Sequence, residues 1–252
     1  MIDSSGSSFF FHTIEEVLAF IGRYPRPAVQ IPRRIREAAS LLASGKLVAF
    51  PTETVYGLGA DATNVDAVRR IFEAKERPVF DPLIVHVAFL EQLEGVVLQW
   101  DERARTLAER FWPGPLTLVV KKNPAIDDLV TAGSRTVAVR MPANPIARSL
   151  IALSGKPIAA PSANLFGRTS PTTAAHVHEQ LGGRIDAIVD GGSCTVGIES
   201  TVLSLAGDVP TILRPGKIGM EELLPFLPDL LLAPRPGIDD SPLASPGLLD
   251  TH

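Results

Sequence analysis

Cationic side chains come directly after several apolar stretches of this sequence, where they could bind negatively charged groups. Lys75 and Arg77 follow a helix-like pattern that ends near Ala74. At such a junction a lysine point charge and an arginine fork could together clamp phosphates. A basic last turn that complements the helix dipole would give the same local sequence. The phosphate-binding interpretation therefore depends on further polar residues that could join the pair.

Such residues occur at the ends of other apolar stretches. They are Arg140 after 136–139, Ser162 and Asn164 after 158–160, Ser200 before 201–205, and Arg214 after 211–213. Polar side chains at the ends of several strands are the usual way in which an open sheet builds a ligand site. We therefore expect these residues to meet at one edge of a sheet.

A hydroxyl-rich turn follows the buried strand predicted at 47–50. Thr52, Thr54 and Tyr56 supply hydroxyl groups, while Gly57 and Gly59 permit positive φ and close approach of a ligand. We interpret this stretch as a loop that holds a small polar ligand. It also approximates the GxGxxA pattern, but it starts about seven residues beyond the strand rather than directly after it, which argues against a dehydrogenase.

The histidine and cysteine residues form no metal-binding pattern. His86 lies in an apolar strand, where a lone histidine is more often a buried core residue. His176 and His178 are two positions apart on a predicted helix, so they point to different faces and should not chelate a metal. Cys194 is the only cysteine and lies in a glycine-rich loop, so we expect an incidental thiol.

Strand and helix patterns mix throughout the chain, which predicts the α/β class. Further strands are predicted at 83–87, 116–120, 136–139, 157–160, 187–189, 201–205 and 211–213. Helices are predicted at 13–21, from Pro32 to a cap at Gly45, and at 64–74, 101–111, 144–153, 172–181 and 219–227. We expect an N-terminal extension at 1–28, the main domain at 29–228, and a proline-rich linker or tail at 229–252 with no second domain.

Composition narrows the class of protein. The net charge of −4 argues against nucleic-acid binding through overall charge, although a local basic cleft stays possible. No apolar run approaches the roughly 20 residues that a membrane span needs, and no basic segment precedes the apolar N-terminal residues as in a signal peptide. We therefore expect a cytoplasmic protein without a membrane contact, while the sequence leaves its oligomeric state open.

Eight segments of the chain resemble the YrdC/Sua5 family, the L-threonylcarbamoyladenylate synthases. They are PTETVYGLG (51–59), AKERP (74–78), PLIVH (82–86), WPGPLT (112–117), VAVRMP (137–142), APSAN (160–164), GIEST (197–201) and LRPG (213–216). The resemblance spans about residues 32–228, and so many motifs in one order are far more specific than any single motif. It implies a twisted mixed sheet curved around a deep positively charged cavity, with helices outside.

The resemblance also implies a nucleotidyltransferase reaction. L-threonine, bicarbonate or CO2, and ATP would give threonylcarbamoyl-AMP and pyrophosphate, with Mg2+ accompanying the nucleotide. This is the first step of forming N6-threonylcarbamoyladenosine at position 37 of certain tRNAs, so tRNA or the transferase machinery are possible transient partners. Matching positions place Thr54, His86, Arg140 and Ser200 around threonine. They place Lys75, Arg77, Asp81, Thr136, Ser162, Asn164, Ser170 and Arg214 around ATP, with Lys75 and Arg77 as the catalytic pair.

The resemblance leaves two alternative functions open, and the sequence departs from the family pattern in two places. A related domain could transfer a carbamoyl group through carbamoyl-AMP, and a basic cavity could instead bind RNA directly. Asp81 stands where many relatives have asparagine, and we expect it to pair with Arg77 or Lys75 or to contact the adenosine. Residues 245–252 resemble the beginning of the linker of two-domain Sua5 proteins, which predicts either a short form or a fragment.

Overall fold

A computed structural model describes residues 32–234 of the chain. Its strands are β1 (Val48–Pro51), β2 (Tyr56–Asp61), β3 (Ile84–His86), β4 (Leu116–Lys121), β5 (Thr136–Arg140), β6 (Ile158–Ala159), β7 (Ala187–Ile188), β8 (Thr201–Ser204), β9 (Thr211–Arg214) and β10 (Leu231–Leu232). Its α-helices are α1 (Arg33–Ala43), α2 (Val65–Lys75), α3 (Glu102–Phe111), α4 (Asp128–Thr131), α5 (Pro145–Ser154), α6 (Ala174–Leu181) and α7 (Met220–Leu223), and a 3-10 helix covers Leu90–Gly95. The helix predicted at 13–21 and most of the predicted tail at 229–252 lie outside the described residues.

The ten strands of the described region form one mixed sheet in the order β10-β9-β8-β4-β5-β3-β6-β2-β1-β7. β3 runs parallel to β5 and antiparallel to β6, while β4 runs antiparallel to β5 and parallel to β8. The predicted α/β class, with a mixed sheet and helices packed on it, is therefore confirmed.

Helices cover the two faces of the sheet unequally. On one face, α2, α3 and α6 pack against alternate residues of the central strands in the main core cluster. On the other face, α1 and α5 contribute Leu42 and Ile151 to a smaller cluster with Phe50 and Ile158, at the β1 and β6 end of the sheet. The central part of this second face is therefore left for a cavity.

Strand alternation decides which side chains point to that cavity face, because successive side chains of a strand point to opposite faces. In β5, Val137 and Val139 belong to the main core, whereas Ala138 belongs to a small cluster on the opposite face. Arg140 shares the face of Ala138 because it is two residues further along. The same alternation in β3 places Ile84 and His86 on that face.

The sequence analysis did not predict β2, since glycine is unfavourable in strands. Gly59 is tolerated there because neighbouring side chains occupy the space of its missing Cβ. A Cβ atom at this position would lie 2.6 Å from Phe50 Cε1 and 2.8 Å from Ile158 Cγ2. Gly57 and Gly59 are thus strand residues rather than part of a strand-to-helix turn, which also removes the dinucleotide-binding pattern.

The end of α2 sets the position of the candidate cationic pair. Asn64 caps the start of the helix by accepting hydrogen bonds from the backbone N–H groups of Asp66 and Ala67. Lys75 is the last helical residue, and Glu76 follows in the left-handed conformation with φ of 54°. This sharp turn sends Arg77 in a new direction, toward the sheet.

Within residues 32–234, no helix is long and apolar enough to cross a membrane.

Candidate functional site

One cavity on the second face of the sheet gathers polar side chains from widely separated segments. Six of the predicted site residues line it: Thr54, Arg77, His86, Arg140, Ser162 and Arg214. Thr52, Glu199 and the backbone around Gly57 complete the polar part of the wall, and Ile84 and Ala160 add apolar surface. Three arginines and one glutamate therefore face the same space.

Arg140 is held by four hydrogen bonds at the end of β5. Its Nε donates to the Gly114 carbonyl at 3.2 Å, and its Nη1 and Nη2 both donate to Thr54 Oγ1 at 3.1 Å. Nη2 also donates to Glu53 Oε1 at 2.6 Å, in an ion pair whose side chains are only 3% and 10% exposed. These bonds use four of the five guanidinium N–H groups, and within residues 32–234 the remaining one on Nη1 has no acceptor.

His86 lies beside Arg140 in register, because β3 and β5 are parallel neighbours. Its burial, followed by the positive charge of Arg140, lowers the pKa of His86 to about 3. The imidazole is therefore neutral at physiological pH. Its Nδ1 atom is buried and has no hydrogen-bond partner among the described residues. A neutral ring of this kind can offer one hydrogen bond to a ligand without adding charge.

Arg77 enters the cavity from the turn after α2. Its Nη2 lies 2.8 Å from Asp81 Oδ2, and both side chains are almost fully buried. Further bonds from its Nε to the Asp81 carbonyl and from its Nη2 to the Pro82 carbonyl fix the guanidinium plane. Burial lowers the pKa of Arg77, and the Asp81 charge opposes that shift. Of the arrangements expected for Asp81, the structure thus forms the ion pair with Arg77.

Lys75 lies behind the cavity wall rather than among the residues that line it. Its Nζ donates to the backbone carbonyls of Ser162 and Asn164, which form part of the loop after β6. Burial, followed by the charge of Arg77, lowers the pKa of Lys75 well below its usual range. Its observed role is therefore to hold the loop that carries Ser162 against the end of α2.

Arg214, at the end of β9, joins several predicted residues on the other side of the cavity. It donates to the backbone carbonyl and to Oγ of Ser200, at 3.0 and 3.1 Å from Nη2. Glu199 lies 3.5 Å from the same nitrogen and accepts a hydrogen bond from Ser170 Oγ at 3.0 Å. Ser200 is fully buried and shares a further hydrogen bond with Thr117. Ser170 and Ser200 are therefore partners of lining residues.

Two predicted residues lie away from the cavity wall. Asn164 is fully buried, and its Nδ2 donates to the carbonyls of Leu165 and Arg168. Thr136 begins β5, where its hydroxyl bonds to that of Ser134. It shares the face of Arg140 but lies four positions earlier in the strand, which is about 13 Å away.

The two helical histidines and the cysteine, to which the sequence analysis assigned no role, lie outside the cavity wall. His176 and His178 are both exposed on α6. Cys194 is half-buried, and desolvation raises the pKa of its thiol to about 11. Within residues 32–234 no group of three or more histidine, cysteine or acidic side chains is placed to hold a metal ion.

The sequence analysis assigned no role to Glu53 or Glu199, although each lies inside a quoted motif. Both carboxylates pair with arginines that line the cavity. Their neighbours in sequence, Thr54 and Ser200, were chosen for their hydroxyl groups. A count of charges would have identified them, because a site with several buried arginines needs acidic partners.

The Tyr56 hydroxyl, which the sequence analysis expected to serve a ligand, instead joins two segments of the chain. The Tyr56 hydroxyl donates to the Gly192 carbonyl at 2.7 Å and accepts from the Gly191 N–H. The backbone N–H groups of Val196 and Gly197 donate to the carbonyls of Glu53 and Thr54. The 191–197 segment is thereby tied to the hydroxyl-rich turn.

Comparison with known proteins assigns this chain to a family. The Sua5_yciO_yrdC family model, which is described as telomere recombination, matches residues 40–216. A threonylcarbamoyl-AMP synthase of Pyrococcus abyssi is 53% identical over 80% of this chain and 59% of its own length. One from Bacillus subtilis is 52% identical over 87% of this chain and 64% of its own length. The chain thus spans about three fifths of the length of these relatives.

Solved structures agree with the sequence comparison. The crystal structure of Pyrococcus abyssi Sua5 complexed with L-threonine is 51% identical, with a TM-score of 0.83, and the match covers 85% of this chain and 64% of that one. The crystal structure of Escherichia coli YciO has a TM-score of 0.69 at 26% identity, over 77% of this chain and 93% of that one. Given the match of the family model and these identities, the chain belongs to the Sua5/YciO/YrdC family.

Proposed function

We propose that this domain is an L-threonylcarbamoyladenylate synthase, which joins L-threonine, bicarbonate or CO2, and ATP into threonylcarbamoyl-AMP with release of pyrophosphate. The observation that carries the proposal is the meeting of two sets of residues in one cavity. Thr54, His86 and Arg140 of the predicted threonine set line the same cavity as Arg77 and Arg214 of the predicted nucleotide set. Relatives that are about half identical carry the name of this activity.

The threonine half of the site would bind the amino acid through directed hydrogen bonds. The free N–H of Arg140 can donate to the carboxylate, and the neutral His86 ring can bond to the amine or hydroxyl group. The buried Ser200 hydroxyl would act through its contact with Arg214 unless it reorients on binding. The apolar surface at Ile84 offers a place for the threonine methyl group.

The chemistry needs positioning and charge stabilisation rather than a protein nucleophile. The threonine amine adds to CO2 and loses a proton, which gives a carbamate. A carbamate oxygen then bonds to the α-phosphorus of ATP as the bond from that phosphorus to the β-phosphate oxygen breaks, and pyrophosphate leaves. Arg77 and Arg214 would stabilise the charge that develops on the phosphate oxygens. Lys75 would act by holding the Ser162 loop in place.

The remaining assignments are part of the same proposal. Mg2+ would enter with ATP on the phosphate oxygens, as is usual for this ion, and Glu199 is the carboxylate of the cavity wall that could approach it. The product would be passed on to modify adenosine 37 of certain tRNAs. Transient contact with tRNA or the transferase machinery, and a cytoplasmic location, follow from that role.

Product analysis tests the proposal directly. We expect pyrophosphate release from ATP, and a threonylcarbamoyl-AMP mass, only when threonine and bicarbonate are both supplied. Serine should be used about tenfold less well, because a buried methyl group contributes about 1 kcal/mol or somewhat more. Equal pyrophosphate release without any amino acid would refute the proposal, and release that requires an added carbamoyl donor in place of threonine would favour carbamoyl-AMP chemistry. RNA binding by a wild-type chain that shows no ATP turnover, lost when Arg140 is neutralised, would favour the RNA-binding alternative.

A further inference from the structure

Glu53 contacts the candidate amino-acid pocket from behind its wall. One carboxylate oxygen accepts from Arg140 Nη2 at 2.6 Å, and the other accepts from the backbone N–H of Ala143 at 3.0 Å. The residue is only 8% exposed, and it is not among the residues that line the cavity. Glu53 can therefore act on a ligand only indirectly, and Arg140 is its one partner in the cavity wall within residues 32–234.

The geometry points to Glu53 as the positioning residue that fixes the ligand-binding orientation of Arg140, and thereby the affinity for the amino acid; this inference rests on the proposed function. Thr54 Oγ1 and the Gly114 carbonyl define two further sides of the guanidinium group. Glu53 fills the outer side of Nη2, so the N–H left for a ligand is on Nη1. A carboxylate ligand thus meets one N–H group of fixed direction instead of a guanidinium group that is free to rotate.

The ion pair between Glu53 and Arg140 also changes the net charge of the pocket. A buried guanidinium without a counter-ion would attract any small anion, including phosphate groups of the nucleotide. Pairing with Glu53 makes this corner of the cavity formally neutral, so that recognition depends on hydrogen-bond direction more than on net charge.

Glutamine is an informative replacement because it keeps the shape of Glu53 but cannot make both contacts. Its single amide oxygen can accept from Arg140 or from the Ala143 N–H, and its NH2 group would then face the other donor. Aspartate keeps the charge but is one methylene shorter, so it should restore part of the function. Glu37→Gln is the matched control, because Glu37 forms an exposed ion pair with Arg33 on α1.

The test measures threonine and ATP affinity of the full chain by calorimetric titration. For Glu53→Gln we expect the threonine dissociation constant to rise by at least about tenfold, the size of one lost charge-assisted hydrogen bond. ATP affinity should change by less than about twofold, and Glu53→Asp should give an intermediate threonine affinity, an outcome that simple loss of packing would not produce. Glu37→Gln should match the wild type for both ligands.

A double-mutant cycle with Arg140→Lys tests whether the effect passes through Arg140. In the Arg140→Lys background, Glu53→Gln should weaken threonine binding by much less than in the wild type; equal effects in both backgrounds would overturn the inference. Unchanged threonine affinity in folded Glu53→Gln, or loss of folding in both Glu53 variants, would also overturn it. A wild-type chain that binds no threonine would instead refute the proposed function itself, and this inference with it.

Discussion

Replacing Asp81 by asparagine removes the negative charge of a buried pair while keeping an oxygen that can accept from Arg77. The Asp81 and Arg77 side chains are 0% and 2% exposed, and their charged atoms lie 2.8 Å apart. The substitution leaves the buried guanidinium group without its charged partner, a loss of about 3–5 kcal/mol of folding free energy. For a domain of about 200 residues, this loss lowers the melting temperature by about 6–20 °C.

ATP should offset part of this loss. The triphosphate can supply the negative charge that Arg77 has lost, so the variant should bind ATP with an affinity that changes by less than about tenfold and in the direction of tighter binding. Thermal unfolding with and without ATP at saturating Mg2+ measures both effects. We expect a lower melting temperature without ATP and a larger stabilisation by ATP than in the wild type.

Asp66→Asn is the matched control, because Asp66 forms an exposed ion pair with Arg69 at the start of α2. Exposed pairs contribute less than about 1 kcal/mol, so this variant should behave like the wild type in both measurements. If Asp81→Asn abolishes turnover and excess Mg2+ partly restores it, the carboxylate is a metal ligand. That result would refute the interpretation of Asp81 as a partner of Arg77.

The other predictions concern Arg140 and His86. Arg140→Lys should weaken threonine binding by roughly tenfold to over a hundredfold, with a smaller effect on ATP, because lysine lacks the planar fork whose donors reach Glu53, Thr54 and a ligand in fixed directions. An unchanged threonine affinity by calorimetry would remove Arg140 from the site. Because the pKa of His86 falls from 6.5 to about 3 in the folded chain, protonation favours the unfolded chain, and stability should fall as pH drops from about 6.5 toward 3. Urea unfolding of wild type and His86→Gln should show an advantage of the wild type that shrinks by about 1.4 kcal/mol per pH unit in this window, and parallel curves would contradict the buried neutral state.

The segments that carry the site could be predicted from the sequence alone. Period-two alternation in stretches such as 136–140 fixes the face on which a side chain lies, because strand geometry is local. Helix caps are also local, so the start of α2 at Asn64 is consistent with its residue type, whereas the end next to Lys75 was predicted from the apolar periodicity. The motifs in order identified the family, which the comparisons confirmed.

Contacts between residues far apart in the sequence could not be predicted from it and follow from the tertiary structure. Arg140 contacts Glu53 and Thr54, which lie 87 and 86 residues earlier in the sequence. The contact forms because the sheet brings the end of β5 close to the turn that follows β1. No local pattern encodes that contact. The same holds for Lys75, whose position at the end of α2 suggested a phosphate clamp, but whose amine is used by two carbonyls of the Ser162 loop.

The strand β2 is the simplest example of a feature that follows from long-range packing and not from local sequence preference. Gly57 and Gly59 have poor strand propensity, so local preference predicted a loop. The packing of Phe50 and Ile158 against Gly59 leaves no room for a Cβ atom, and that requirement arises only when β1, β2 and β6 lie side by side. Sequence thus specified the chemical groups and their faces, whereas long-range strand pairing decided which groups meet and which of their hydrogen bonds are left for a ligand.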